Sequence, residues 1–148
     1  MERQGLKFTL VSGDDNHNLA IKSELSKLPV KTHFYRFQDC ETILAYLKIN
    51  HDAPYHIVML DMDDPEHVGM ACLKAIRKVA DYKNIIIISY SREEDEAITK
   101  KILVEGGNIY FTYPKTNNEF HHLLKKLIII NWKIYTTGAD RQTFMLKL

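Results

Sequence analysis

Short apolar runs alternate with amphipathic stretches along most of this 148-residue chain. The runs have the length of strands, and a continuous apolar run such as His56–Leu60 is typical of a strand buried on both faces. Ile85–Ile88 is four isoleucines in a row, and β-branched residues favour strands over helices. The predicted strands are Leu6–Val11, Thr32–Phe37, His56–Leu60, Ile85–Ile88 and Asn108–Thr112.

The segments between these runs have helical periodicity. Gly106 and Gly107 are suited to end the helix predicted in Arg92–Val104, which begins with acidic residues. Apolar residues recur at helical spacing in the other four segments, at Ile21, Leu25 and Leu28, at Ile43, Leu44 and Leu47, at Cys72, Leu73, Ile76 and Val79, and at Phe120, Leu123, Leu124 and Leu127. Five strands alternating with five helices predict a doubly wound α/β domain, with a parallel sheet in the flavodoxin-like order 2-1-3-4-5.

The composition excludes several classes of protein. A hydrophobic fraction of 45% with 26% charged residues is ordinary for a soluble domain, and the apolar runs are too short to span a bilayer. A net charge of +1 gives no reason to expect nucleic-acid binding. Two cysteines are too few for a disulfide framework. We therefore expect a cytoplasmic protein with reduced thiols and no membrane or nucleic-acid partner.

Carboxylates follow the first and third predicted strands. In a sheet of this order, ligands bind beyond the carboxyl ends of the strands, between strands 1 and 3. Asp14 and Asp15 follow strand 1, and Asp61 follows the apolar run of strand 3. Carboxylates that meet in one crevice repel each other unless a cation lies between them, and Mg²⁺ with a phosphoryl group is a natural occupant. The pattern predicts a Mg²⁺ site formed by Asp14, Asp15 and Asp61.

Three motifs occur in a specific order after the third strand. Pro65 lies four residues after Asp61 and Gly69 four beyond that, Ser89 follows the isoleucine run, and Tyr110 lies within the segment from Gly107 to Pro114. Over about residues 5–130 this arrangement resembles the receiver domain of two-component response regulators.

The resemblance implies a role for each of the matching residues. Asp61 would be the phosphoacceptor, Ser89 would hydrogen-bond the phosphoryl group and act in switching, and Tyr110 would be the switch aromatic residue. The implied partner is a sensor histidine kinase or a phosphotransfer protein, and the chain would be a signalling protein in a phosphorelay rather than an enzyme.

Two segments depart from the family pattern. Ser12 and Gly13 stand directly after strand 1, where the family has an acidic pair, and Tyr113 replaces the lysine before Pro114. A phenol has no positive charge at neutral pH, so a charge-assisted contact with a phosphoryl group is lost. An alternative is therefore a pseudo-receiver, a protein-interaction module that does not depend on phosphorylation. A flavodoxin-like cofactor binder is less well supported, because the turn after strand 1 has few Gly, Ser or Thr residues.

The C-terminal residues fall outside the receiver pattern. We expect a receiver-like domain over residues 1–131 and an appendage over residues 132–148. Apolar residues on either side of the Thr137-Gly138 turn predict a short hairpin or an extended arm. An isolated hairpin is marginally stable in water, so we expect this appendage to pack on the domain or on a second copy in a homodimer.

Overall fold

The computed structural model describes residues 6–28, 31–50, 56–63, 68–137 and 145–146. Its strands are β1 Leu6–Val11, β2 Thr32–Phe37, β3 His56–Asp61, β4 Ile86–Ser91, β5 Ile109–Thr112 and β6 Met145–Leu146. Its helices are α1 Asp15–Ser26, α2 Cys40–Asn50, α3 Val68–Arg77, α4 Glu96–Val104 and α5 Asn117–Thr137, with one 3₁₀ turn at Ala80–Tyr82. None of the helices in the described part has the length and apolarity needed to cross a membrane.

The strands form one parallel sheet in the order β2-β1-β3-β4-β5-β6. The predicted fold class and the order 2-1-3-4-5 are therefore confirmed. The short strand β6 extends the sheet beyond β5, and its two residues pair with Tyr110 and Phe111. β3 lies between β1 and β4 at the centre of the sheet.

Both faces of the sheet are covered by helices. Successive side chains of a strand point to opposite faces, so an uninterrupted apolar run such as β3 contributes to two cores. Ile57 and Met59 pack with residues of α1 and α5, whereas Val58 and Leu60 pack with residues of α2, α3 and α4. This explains why the central strands lack the apolar–polar alternation of a sheet exposed on one face.

Aspartates set the first residues of two helices. Asp14 caps α1 by accepting the backbone N–H groups of Asn16 and His17. Asp95 caps α4 in the same way, so this helix begins at Glu96 and not at the start of the acidic run. Gly106 follows the helix with a φ of 103°, a conformation that favours glycine, and the prediction that it ends α4 is confirmed.

The C-terminal residues differ from the predicted hairpin. Trp132, Ile134 and Tyr135 are helical, because α5 continues to Thr137 with no glycine or proline to interrupt it. β6 pairs in parallel with β5 instead of forming an antiparallel hairpin strand. The predicted turn at residues 138–140 lies outside the described residues. The division of the chain near residue 131 stays a prediction, and α5 crosses it.

Candidate functional site

The Asp61 carboxylate lies at the carboxyl end of the central strand. Asp61 is the last residue of β3 and pairs in register with Tyr90 of β4. The residue is only 6% exposed, although it directly precedes a loop. A buried carboxylate is unfavourable without hydrogen-bond donors, so its partners define the chemistry of the site.

Three donors surround Asp61. The Ser12 hydroxyl donates to Oδ2 at 2.7 Å, and the backbone N–H of Asp63 donates to Oδ1 at 2.9 Å. Nδ1 of His17 lies 3.4 Å from Oδ2. Burial raises the pKa of Asp61, but the interactions with His17, Ser12 and Asp63 outweigh it and hold the pKa below its ordinary value. Asp61 is therefore ionised at neutral pH.

Asp14 lies on the other side of His17. Its Oδ1 accepts the helix-capping N–H groups of α1, and its Oδ2 lies 3.3 Å from Nη2 of Arg92 and 3.6 Å from Nε2 of His17. His17 thus separates the two carboxylates, with one ring nitrogen facing each of them.

Asp15 points away from this site. Its side chain is 80% exposed and forms an ion pair with Nη1 of Arg36 at 2.6 Å. The predicted ligand set of Asp14, Asp15 and Asp61 is therefore not gathered around one point. Among the residues that the structure describes, no group of three or more His, Cys, Asp or Glu side chains could hold a metal ion.

The donor chemistry of the site does not fit Mg²⁺. This ion takes carboxylate oxygens and water in a near-octahedral shell. Both oxygens of Asp61 and both oxygens of Asp14 already face N–H or O–H groups of the protein. A Mg²⁺ ion at Asp61 and Asp14 would therefore have to compete with donors of the protein for each of the four oxygens.

Aromatic rings close the site beneath His17. The imidazole stacks on Tyr113 with a centroid distance of 4.3 Å, and its Nδ1 lies 3.2 Å from the Tyr90 hydroxyl. Tyr113 also packs edge-on against Phe120, so the residue in place of the family's lysine packs against the core. Burial raises the pKa of Tyr113, and nearby Asp14 and Asp61 raise it further, which keeps the phenol neutral.

Ser89 and Tyr110 lie opposite each other in neighbouring strands. Ser89 of β4 pairs in register with Tyr110 of β5, and both are buried. Within the described residues, the Ser89 hydroxyl has no hydrogen-bond partner. The isoleucine run predicted a strand that ends at Ser89, but β4 continues to Ser91, and Tyr90 packs inward and stacks on Phe111.

Ser91 is a hydroxyl that the sequence analysis missed. Its Oγ donates to the carbonyl oxygen of Glu93 at 2.8 Å and also contacts the Tyr110 hydroxyl. Because serine has one hydroxyl proton, Tyr110 must donate in this second bond. Tyr110 is thus held in a buried position by the last residue of β4.

Gly69 permits α3 to start close to Asp61. A Cβ at this position would collide with the carbonyl oxygen of Asp61 and lie 2.9 Å from the sulfur of Met62. The glycine of the sequence motif therefore has a steric explanation. Pro65, the other matching residue, lies outside the described residues.

Ser12, His17 and Arg92 also belong to this site and were not predicted from the sequence. One signal was available, because His17 follows Asp14 by three residues and this spacing places two side chains on one face of a helix. Arg92 had no comparable signal, since its contact with Asp14 joins residues 78 positions apart.

Solved structures with the same architecture are response regulators. A response regulator in red light signalling of R. palustris matches with a TM-score of 0.73 at 19% identity, over 91% of this chain and 96% of that chain. The phosphorylated cyanobacterial phytochrome response regulator RcpA matches with a TM-score of 0.72 at 18% identity, over 93% and 98% of the two chains. The Mn²⁺-bound form of response regulator Rcp1 matches with a TM-score of 0.64 at 17% identity, over 92% and 96%.

No protein-family model matches this sequence, and no curated protein matches it. The similarity to the solved structures therefore lies in the fold. The chain has the fold of response-regulator receiver domains, and the expected resemblance is confirmed at that level.

Proposed function

We propose that this chain is a cytoplasmic receiver module of a phosphorelay, which accepts a phosphoryl group on Asp61 from a sensor histidine kinase or a phosphotransfer protein. The observation that supports this proposal is an ionised carboxylate at the carboxyl end of the central strand of a receiver fold. Its role is that of a signalling module, not of a classical enzyme.

The transfer uses the Asp61 carboxylate as its nucleophile. One oxygen of Asp61 attacks the phosphorus atom, the bond to the donor breaks, and its electron pair leaves with the departing group. No proton has to be removed from the nucleophile, because Asp61 is already ionised. The product is an acyl phosphate on Asp61.

Neighbouring donors would stabilise the added charge. Arg92 pairs with Asp14 through its guanidinium group, which suits phosphoryl oxygens in geometry and charge. The predicted switch residues Ser89 and Tyr110 stay part of the proposal, but Ser89 pairs in register with Leu60 and Tyr110, whereas Asp61 pairs with Tyr90, so a contact of Ser89 with the phosphoryl group would need a rearrangement of β4. Because the donor set does not fit Mg²⁺, the predicted magnesium ion has no part in this scheme.

A second candidate function is a protein-interaction module that does not depend on phosphorylation. The observation in its favour is that Ser12, His17 and Asp63 already satisfy the Asp61 carboxylate. Tyr113 adds to it, because this residue packs on His17 and supplies no cation for a phosphoryl group.

Incubation with acetyl phosphate, followed by mass spectrometry of the intact protein, distinguishes the two functions. If Asp61 is the acceptor, the wild-type protein gains one phosphoryl group and Asp61→Asn gains none. Glu94→Gln is the matched control, because it changes an exposed carboxylate outside the contacts of Asp61 and should still be labelled. If wild-type protein stays unlabelled under conditions that label an established receiver, the phosphorelay role is wrong and the interaction module is the function left to test.

A further inference from the structure

We infer that Ser12, His17 and Arg92 take the place of a divalent cation at the Asp61 site, so that this site neither binds nor requires a metal ion. The inference rests on the proposed function where it concerns phosphorylation. The fold is shared with a Mn²⁺-bound response regulator. In this chain, however, the groups beside Asp61 are the Ser12 hydroxyl and the His17 ring.

The carboxylates of the site are balanced by the protein itself. Arg92 contributes its guanidinium group to Asp14, and its backbone N–H donates to Oδ2 of Asp63 at 2.7 Å. His17 faces both Asp14 and Asp61, and the latter also accepts the Ser12 hydroxyl. Carboxylates in one crevice need such partners when no cation lies between them.

These donors are held in place by their own contacts. The Ser12 hydroxyl accepts the backbone N–H of Asp14 at 3.0 Å while it donates to Asp61, which fixes its direction. The His17 ring is buried, stacks on Tyr113 and contacts the Tyr90 hydroxyl. A metal ion with its water shell would have to displace several hydrogen bonds. Each of them contributes about 1 kcal/mol to stability, and more where one partner is charged.

The third predicted ligand is held outside the site. Asp15 pairs with Nη1 of Arg36, and Nε of the same arginine donates to the carbonyl oxygen of Ser12 at 3.3 Å. Arg36 belongs to β2, and Asp15 is the first residue of α1. The ion pair therefore holds the Asp15 carboxylate against β2 and away from Asp61. Of the three predicted ligands, only Asp14 and Asp61 thus remain in the site, and each of their oxygens faces a donor of the protein.

Paramagnetic broadening by Mn²⁺ tests the inference without any measurement of phosphorylation. The ¹⁵N-labelled wild-type protein is titrated to about 1 mM Mn²⁺, a concentration at which weak carboxylate sites in proteins fill. We expect the amide signals of Gly13, Met62 and Asp63 to broaden no more than that of Asp81, an exposed acidic residue before β4 at the opposite end of the sheet. Saturable broadening centred on Met62 and Asp63 would overturn the inference.

A variant that rebuilds an acidic pair provides the positive case. Gly13 has open space where a Cβ would lie, so Ser12→Asp combined with Gly13→Asp adds two carboxylates and removes the Ser12 donor. We expect this variant to bind Mn²⁺ about tenfold more tightly or better than the wild type, and Ser12→Asn with Gly13→Asn, its neutral counterpart, to show no gain. A folded acidic variant without any gain would contradict the role given to Ser12.

Failure of the proposed function would look different. If acetyl phosphate labels neither the wild type nor any variant, Asp61 is not an acceptor, but the Mn²⁺ titration still decides whether the site binds metal. If the wild type is labelled equally in the presence of Mg²⁺ and of excess EDTA, both the acceptor role and its independence of metal are supported. Labelling that EDTA abolishes would keep the acceptor role and overturn the inference.

Discussion

Each end of the parallel sheet contains a polar network around one charged side chain. The charge is positive at the amino end and negative at the carboxyl end, and the two networks consist of different kinds of groups. At the amino end of β4 and β5, the half-buried guanidinium of Arg77 donates to the carbonyl oxygens of Tyr82, Ile85 and Gly106 at 2.7–3.0 Å. It also donates to Oδ1 of Asn108 at 2.7 Å. Burial lowers the pKa of Arg77 to about 10, so the group is still charged at neutral pH.

At the carboxyl end, the buried charge is the Asp61 carboxylate and two of its three partners are side chains. Ser12 and His17 come from the segment after β1, and only Asp63 contributes a backbone group. Side-chain donors can be exchanged by substitution without changing the path of the chain, whereas carbonyl oxygens cannot. The network at the amino end therefore connects three segments of the chain and stabilises the fold. At the carboxyl end, proteins with the same fold can differ in the residues that surround the site.

The largest expected effect concerns the amino end. Arg77→Met retains much of the apolar stem but removes a charged donor from three carbonyl oxygens and from Asn108. Asn108 and the Tyr82 oxygen each keep one backbone N–H partner, whereas the oxygens of Ile85 and Gly106 lose the Arg77 contact. We expect a loss of about 3 kcal/mol or more in the free energy of unfolding, measured by urea denaturation at pH 7. The matched control is Lys78→Met, an exposed position directly after the helix, which should stay within about 0.5 kcal/mol of the wild type. Equal midpoints for the two variants would contradict a structural role of Arg77.

The amino end also contains a buried histidine, which should make stability depend on pH. His56 is fully buried beside Thr9, and burial lowers its pKa to about 4. Its unfolded pKa is about 6.5, so the unfolded chain binds more protons between these values, and stability is lost as the pH falls through this window. Between pH 7 and pH 5, this histidine should lower the free energy of unfolding by about 2 kcal/mol.

Urea midpoints at the two pH values test this expectation. His56→Gln should lose markedly less stability than the wild type between pH 7 and pH 5, because glutamine does not titrate. His122→Gln changes an exposed histidine on α5 and should retain the pH dependence of the wild type. A His56→Gln protein with the same dependence as the wild type would show that another group is responsible.

The sequence was sufficient for the framework that positions both networks. The uninterrupted apolar runs predicted the central strands, and the alternation of strands with helices predicted the sheet order, which places Asp61 at the carboxyl end of β3. These features are local in sequence, and the packing of a parallel sheet requires them.

The donors around Asp61 could not be predicted in the same way. Ser12 and Asp61 are 49 positions apart, and their contact depends on side-chain rotamers and on the exact path of the turn after β1. Asp15 shows the same limit, because its sequence position beside Asp14 suggested a ligand, whereas its side chain pairs with Arg36. Charge patterns in a sequence identify which groups need partners, but not which partners the fold supplies.

The smallest expected effect concerns the carboxyl end and separates the two networks most clearly. Ser12→Ala removes one donor to Asp61 and leaves His17 and Asp63 in place, so we expect a loss of about 1 kcal/mol at pH 7. Because the folded pKa of Asp61 is lowered, its hydrogen bonds stabilise the protein above pH 4 and this contribution is lost as the pH falls further.

The difference in unfolding free energy between Ser12→Ala and the wild type should therefore be smaller at about pH 3 than at pH 7, as measured by urea denaturation. Ser23→Ala, an exposed serine on α1, is the control and should show no such change. A difference that is as large at pH 3 as at pH 7 would mean that Ser12 stabilises the turn after β1 and not the charge of Asp61. Ser12→Ala should cost less stability than Arg77→Met. For this reason, the donors at the carboxyl end can change while the fold is retained.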